Sequence, residues 1–101
     1  MGVQAQKVWD GSYNQKEKEK LLVRFFPNPA INFINFEFRE MPPSGSSLQI
    51  YSFLGRQVAI APVNARRITV NVSELFRGLY VFQIITPSGK IFETNKFQVS
   101  H

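Results

Sequence analysis

Seven acidic residues, one histidine and no cysteine are the stock from which this 101-residue chain would have to build a catalytic or metal site. Covalent catalysis needs a nucleophile beside a base, and a third group to orient the base. There is no thiol, and the lone His101 is the last residue, where chain ends are rarely tied down. Glu37 and Glu40 straddle the end of a strand pattern; they read as solvated surface, because carboxylates are seldom buried without a partner. Gly2, Gly11, Gly45, Gly55, Gly78 and Gly89 stand apart from one another, so no glycine-rich loop cradles a phosphate. No His or Cys spacing suits zinc. Asn71-Val72-Ser73 matches a glycosylation acceptor, but it lies on a strand pattern and reads as coincidence. The residues therefore predict a non-enzyme with no catalytic residues, no cofactor and no metal. A small hydrolase is the weakest reading.

The formal charge of +5 raises the question of an anionic partner. Basic residues gather at Lys16, Lys18, Lys20 and Arg24, at Arg66-Arg67 with Arg77, and at Lys90 and Lys96. Glu17 and Glu19 interleave the first group, which then reads as a solvated mixed-charge run. No clustered basic face with interleaved aromatics is evident, so nucleic acid is not an expected partner. No window approaches the roughly 18 consecutive apolar residues of a membrane-spanning helix. An apolar content of 44%, with ten phenylalanines, suits one small folded domain with a single core.

Residues 1–20 differ in composition from the rest and end in Gln15-Lys16-Glu17-Lys18-Glu19-Lys20, a polar linker or tail. Val3-Gln4-Ala5 has the small-x-small form of an export cleavage site, without the apolar region before it. Met1-Gly2 reads as a cloning-derived start, which favours an excised C-terminal fragment over a stand-alone protein. Val8 and Trp9 carry enough apolar area to pack on the domain.

From Leu21 the pattern is one of short strands. Leu21–Phe26 is apolar and β-rich. In Asn32–Arg39, Ile34, Phe36 and Phe38 point one way, and Phe33, Asn35, Glu37 and Arg39 the other. Leu48–Leu54 places Leu48, Ile50 and Leu54 on one face. Gly55-Arg56 breaks it, and Val58 and Ile60 continue as the second arm of a hairpin. Ile68, Val70 and Val72 alternate with polar neighbours. Ser73–Gly78 is a brief turn or a single turn of helix, with Ser73 as its cap and Gly78 as its end. Leu79–Ile85 is the most apolar strand, expected to be central. Thr86-Pro87-Ser88-Gly89 fits a type I turn. The last strand, Ile91–Val99, sets Ile91, Phe97 and Val99 on one side. About seven strands at this spacing predict an all-β sandwich of antiparallel strands. Pro27 and Pro29 fix φ and remove two donors, and Asn28 is pushed toward extended geometry. The segment is expected to carry the chain from one sheet to the other and to protect an edge.

Three stretches carry a resemblance. Phe26-Pro27-Asn28-Pro29-Ala30 opens the domain, Ile50–Val58 contains "YSFLGRQV", and Leu75–Ile84 contains "GLYVFQI"; a lysine-bearing strand through Lys96-Phe97 closes it. Their order resembles the type A C-terminal sorting domain of type IX (Por) secretion cargo from Bacteroidetes, from about Leu21 to Val99. The resemblance implies an immunoglobulin-like sandwich acting as a non-enzymatic address label, with residues 21–101 as the domain. Its partners would be the type IX translocon at the outer membrane and a cell-surface sortase. The cargo domain would lie N-terminal and outside this chain, and the run before Leu21 would be the cleavable linker. Localisation would be export, with the periplasm in transit and then the cell surface or outside. Carried over by position, the motif residues are Pro27, Asn28, Pro29, Gly55, Arg56, Gly78, Tyr80 and Lys96. Arg56, exposed by its turn, has the best claim to partner contact, Lys96 a lesser one, and Tyr80 belongs to the core. Family members often end in several basic residues, whereas Phe97-Gln98-Val99-Ser100-His101 follows Lys96 here. The rival reading is an adhesion or carbohydrate-binding sandwich using Trp9, Tyr13, Tyr51 or Phe33, since sandwiches host many functions.

Overall fold

The structure is a computed structural model and describes residues 21–100. Its strands are β1 (Val23–Phe26), β2 (Phe33–Phe38), β3 (Ser47–Ser52), β4 (Gln57–Pro62), β5 (Arg67–Asn71), β6 (Gly78–Ile85) and β7 (Ile91–Val99). They form two antiparallel sheets, one ordered β1-β2-β5 and the other β4-β3-β6-β7. No helix occurs among the described residues. In the constant-type immunoglobulin sandwich the fourth strand joins the sheet of the first, second and fifth; here it pairs with β3.

Alternation builds the core. Ile34, Phe36 and Phe38 of β2 are buried, as are Leu48 and Ile50 of β3, Tyr80, Phe82 and Ile84 of β6, and Phe97 and Val99 of β7. Phe82 joins the sheets: the rings of Phe25 and Phe36, both on the first sheet, meet it edge-on at 5.1 and 4.9 Å. Edge-on contact sets the positive ring edge against the negative face of its neighbour. Each fully buried phenylalanine contributes about 1.5–3 kcal/mol through removal of apolar surface from water. As expected from its composition, β6 is central, flanked by β3 and β7.

Strand direction sorts the connections to two poles. Residues 27–32, 53–56, 72–77 and the end of β7 meet at one: Ser52 opposes Tyr80, Gly78 opposes Val99, and Ala30 bridges to Val99. Residues 39–46, 63–66 and 86–90 lie at the other pole. The chain begins β1 there, where the Arg39 N–H donates to the Leu22 carbonyl at 2.8 Å.

Four expectations are corrected. β1 and β2 pair in the same sheet, with Phe26 opposite Asn35, so the Pro27–Pro29 segment is not a crossing between sheets but the connection of a hairpin. Leu54 does not continue the face of Leu48 and Ile50: it stands in the turn, 93% exposed. Ile91 does not share the burial of Phe97 and Val99, because a register shift at Ile84/Ile85 interrupts the alternation before it is reached. Ser73 caps no helix. Asn71 Oδ1 accepts from its N–H and its hydroxyl at 2.8 and 2.7 Å, a local turn that outcompetes a helical start.

Candidate functional site

The β3–β4 turn is fixed by its backbone. The Gly55 N–H donates to the Ser52 carbonyl, and the Ser52 N–H to the Arg56 carbonyl, both at 2.8 Å. Gly55 has φ 90° and nothing within 4 Å of where a Cβ would stand. The turn therefore needs glycine for conformation, not for room. Its consequence is display: Phe53 and Leu54 sit outside the core and Arg56 is exposed.

The β5–β6 connection faces it. The Leu75 N–H donates to the Val72 carbonyl at 3.0 Å, and Leu75 is half-buried against the core. The Tyr80 hydroxyl donates to the Phe76 carbonyl at 2.6 Å. A tyrosine near the start of this strand that bonds back a few residues upstream is the tyrosine corner of immunoglobulin-like sandwiches. Tyr80 itself is buried and stacks on Phe97 at 5.9 Å, so it holds the turn from beneath. Phe76, on the turn, is 87% exposed.

Between the two turns lies an open cleft of about 610 Å³, lined by Phe53, Leu54, Arg56, Phe76, Arg77, Gly78 and Tyr80 among others. The fold thus brings Gly55, Arg56, Gly78 and Tyr80 to one place. Phe53, Leu54, Phe76 and Arg77, which lie within the motif stretches but are not among the motif residues carried over, form its surface. The signal for them was present: apolar residues inside turn segments contradict the polar composition that turns favour. Grouped exposed apolar side chains of this kind mark interaction surfaces.

Pro27, Asn28 and Pro29 belong to the same pole by a different route. Both proline bonds, Phe26-Pro27 and Asn28-Pro29, are cis. Asn28 Oδ1 accepts the Gln98 N–H at 2.9 Å. The Ala30 N–H donates to the Gln98 carbonyl at 2.7 Å, and the Ser100 N–H to the Ala30 carbonyl at 2.8 Å. These bonds clasp the outward edge of β7 at its C-terminal end, which closes that end to an added strand. The edge covered here is that of β7, and it is covered by the hydrogen bonds of Asn28 and Ala30, not by the missing donors of the prolines. Lys96 stands apart from the cleft, opposite Val81 and in one row with Tyr51; its N–H is taken by Asn95 Oδ1 at 2.9 Å.

Of the aromatics proposed for sugar contact, the Tyr51 hydroxyl donates to Gln49 Oε1 at 2.6 Å and accepts from Gln57, while Phe33 lies partly exposed on the outer face of the first sheet. Trp9, Tyr13, His101 and the linker of residues 1–20 lie outside the described residues. No group of His, Cys, Asp and Glu fit to hold a metal occurs among the described residues. Burial pushes the Glu93 carboxyl above its ordinary value, opposed by the Leu22 N–H that hydrogen-bonds the anion.

Compared with known families, residues 24–100 match the model described as the secretion system C-terminal sorting domain. No curated protein matches the chain.

Proposed function

The chain belongs to the family of type IX secretion C-terminal sorting domains, and on that premise we propose that the pole carrying Phe53, Leu54, Arg56, Phe76 and Arg77 is the face that the outer-membrane translocon reads. The observation that supports this is convergence. Three motif stretches far apart in sequence, at Pro27–Pro29, Gly55-Arg56 and Gly78–Tyr80, are gathered at one end of the sandwich. The chain start at Leu22 lies at the other end, beside Arg39. A cargo joined ahead of residue 21 would leave the displayed pole open to a partner.

Within this reading the motif residues divide by task. Arg56 is the exposed contact residue. Asn28, Gly55, Gly78 and Tyr80 shape the pole, and Pro27 and Pro29 fix the backbone that presents Asn28 to β7. Lys96 acts on β7 as an edge charge that discourages strand addition. A cell-surface sortase would act on the run before Leu21, and the route would pass through the periplasm to the cell surface or outside. The domain works as an address label and not as a catalyst. The experiment is to fuse residues 21–101 behind an exported reporter in a Bacteroidetes host. Reporter in the medium or on the cell surface supports the reading. Reporter held in the periplasm, while an established sorting domain carries it out, overturns it.

A further inference from the structure

A second cleft, of about 450 Å³, lies at the pole where the chain starts and is lined by Arg24, Glu37, Phe38, Arg39, Arg66 and Arg67. Arg24 and Arg67 there flank one carboxylate, that of Glu37, and Arg66 and Arg39 line the cleft with them. The chain has six arginines and six lysines; four of the arginines line this cleft and none of the lysines do.

The arginines are held in place. Arg24, Glu37 and Arg67 oppose one another across β1, β2 and β5, with guanidinium nitrogens 3.5 and 3.8 Å from the Glu37 carboxylate. These separations are longer than charge-assisted hydrogen bonds, so Glu37 offsets charge without saturating the donors. Arg24 and Arg67 both sit 5.4 Å from the centroid of the Phe26 ring, whose negative face orients them. Arg66 Nη1 donates to the carbonyls of Phe38 and Arg39 at 2.9 and 3.1 Å, which pins that guanidinium at the rim.

We propose that this cleft is a binding site for a phosphate monoester dianion, free or carried on a lipid headgroup. The planar guanidinium fork matches phosphate oxygens two at a time, which a lysine point charge does not. Gathering the Arg24, Arg66 and Arg67 guanidiniums beside one carboxylate leaves an excess of positive charge, and a dianion offsets it. The stack on Phe26 and the bonds of Arg66 order the side chains before the ligand arrives, lowering the entropic cost of binding. The proposal is independent of the translocon reading, since it concerns the opposite pole and different residues.

The test uses the full 101-residue chain, ¹⁵N-labelled, titrated with inorganic phosphate at constant ionic strength while the side-chain Nε–Hε signals of Arg24 and Arg67 are followed. A parallel arm uses phosphatidylcholine vesicles containing phosphatidic acid, a monoester, against vesicles containing phosphatidylglycerol, a diester. Saturable shifts with inorganic phosphate support a site that accepts the free dianion. Binding confined to phosphatidic acid vesicles supports one that needs the headgroup. Arg67→Gln should weaken either response about tenfold, the worth of one charge-assisted hydrogen bond. Arg67→Lys, which keeps the charge and loses the fork, should weaken it measurably. Lys90→Gln with Lys96→Gln should leave it unchanged. No saturable response, equal binding to the two anionic vesicles, or an equal loss from the lysine pair would overturn the proposal.

Discussion

The two poles of this sandwich are built from the same kinds of turn and present opposite surfaces. At one, Phe53, Leu54 and Phe76 stand 73%, 93% and 87% exposed around a cleft. At the other, the turns mix proline, serine and glycine with charged and polar residues, Met41 at 37% is the one large apolar side chain they expose, and the neighbouring cleft is lined by four arginines. Gly55 and Gly89 make the point in miniature. Both have φ 90° with open space for a Cβ, and both donate to a carbonyl three residues back at 2.8 Å. Yet one turn carries Phe53-Leu54 and the other Pro87-Ser88. The turn chemistry explains the fold at both ends. It does not explain why one end shows large apolar side chains to water, a display that gains nothing for folding because that surface is not removed from water. That difference is what supports the proposal that the first pole is the recognition face.

The largest expected effect comes from breaking the apolar surface. Leu54→Asp with Phe76→Asp should cut reporter export at least tenfold, because central apolar anchors of an interface carry about 2 kcal/mol or more each. Its urea midpoint should hardly move, since exposed substitutions usually stay within about 0.5 kcal/mol. Met41→Asp with Ser88→Asp, at the other pole, should leave export at the parent level. The glycine pair sharpens the comparison. Gly55→Ala and Gly89→Ala should each lower stability by about 1–2 kcal/mol, the cost of a left-handed conformation with a Cβ, but only the first should impair export of the folded fraction. Asn28→Ala removes the acceptor for the Gln98 N–H and should lower stability by about 1 kcal/mol. Hydrogen exchange should show Gln98 and Ser100 losing protection while β3 keeps its own.

The smallest effect is set by pH. Glu93 has its folded value raised by burial, so the fold disfavours its ionised form. Its contribution is fully present below the ordinary value of 4.5 and is lost as pH rises through the folded value. Glu93→Gln should remove that decline and gain on the parent as pH approaches neutrality, read from urea midpoints across the range.

Much of this was legible in the chain. Period-two alternation placed Ile34, Phe36 and Phe38 inward, and Ile68, Val70 and Val72 likewise, because side-chain direction in a strand is a local property. The order of the motifs gave the family. Sheet membership was not legible: rigid prolines between two strands suit a hairpin as well as a crossing, and only the pairing of Phe26 with Asn35 decides. Leu54 and Ile91 were misplaced because hydrophobicity was extended through a turn and a register shift that break the alternation. The clasp of Asn28 on Gln98 spans 70 residues, a distance that no local pattern encodes.

The central claim is that the Leu54 pole is the contact face. A photo-crosslinking side chain placed at Leu54, and separately at Ser88, in the reporter fusion tests it in living cells during export. Crosslinks to a component of the secretion apparatus from position 54 and none from position 88 are the predicted result. Crosslinks from position 88 alone, or equally from both, would contradict it.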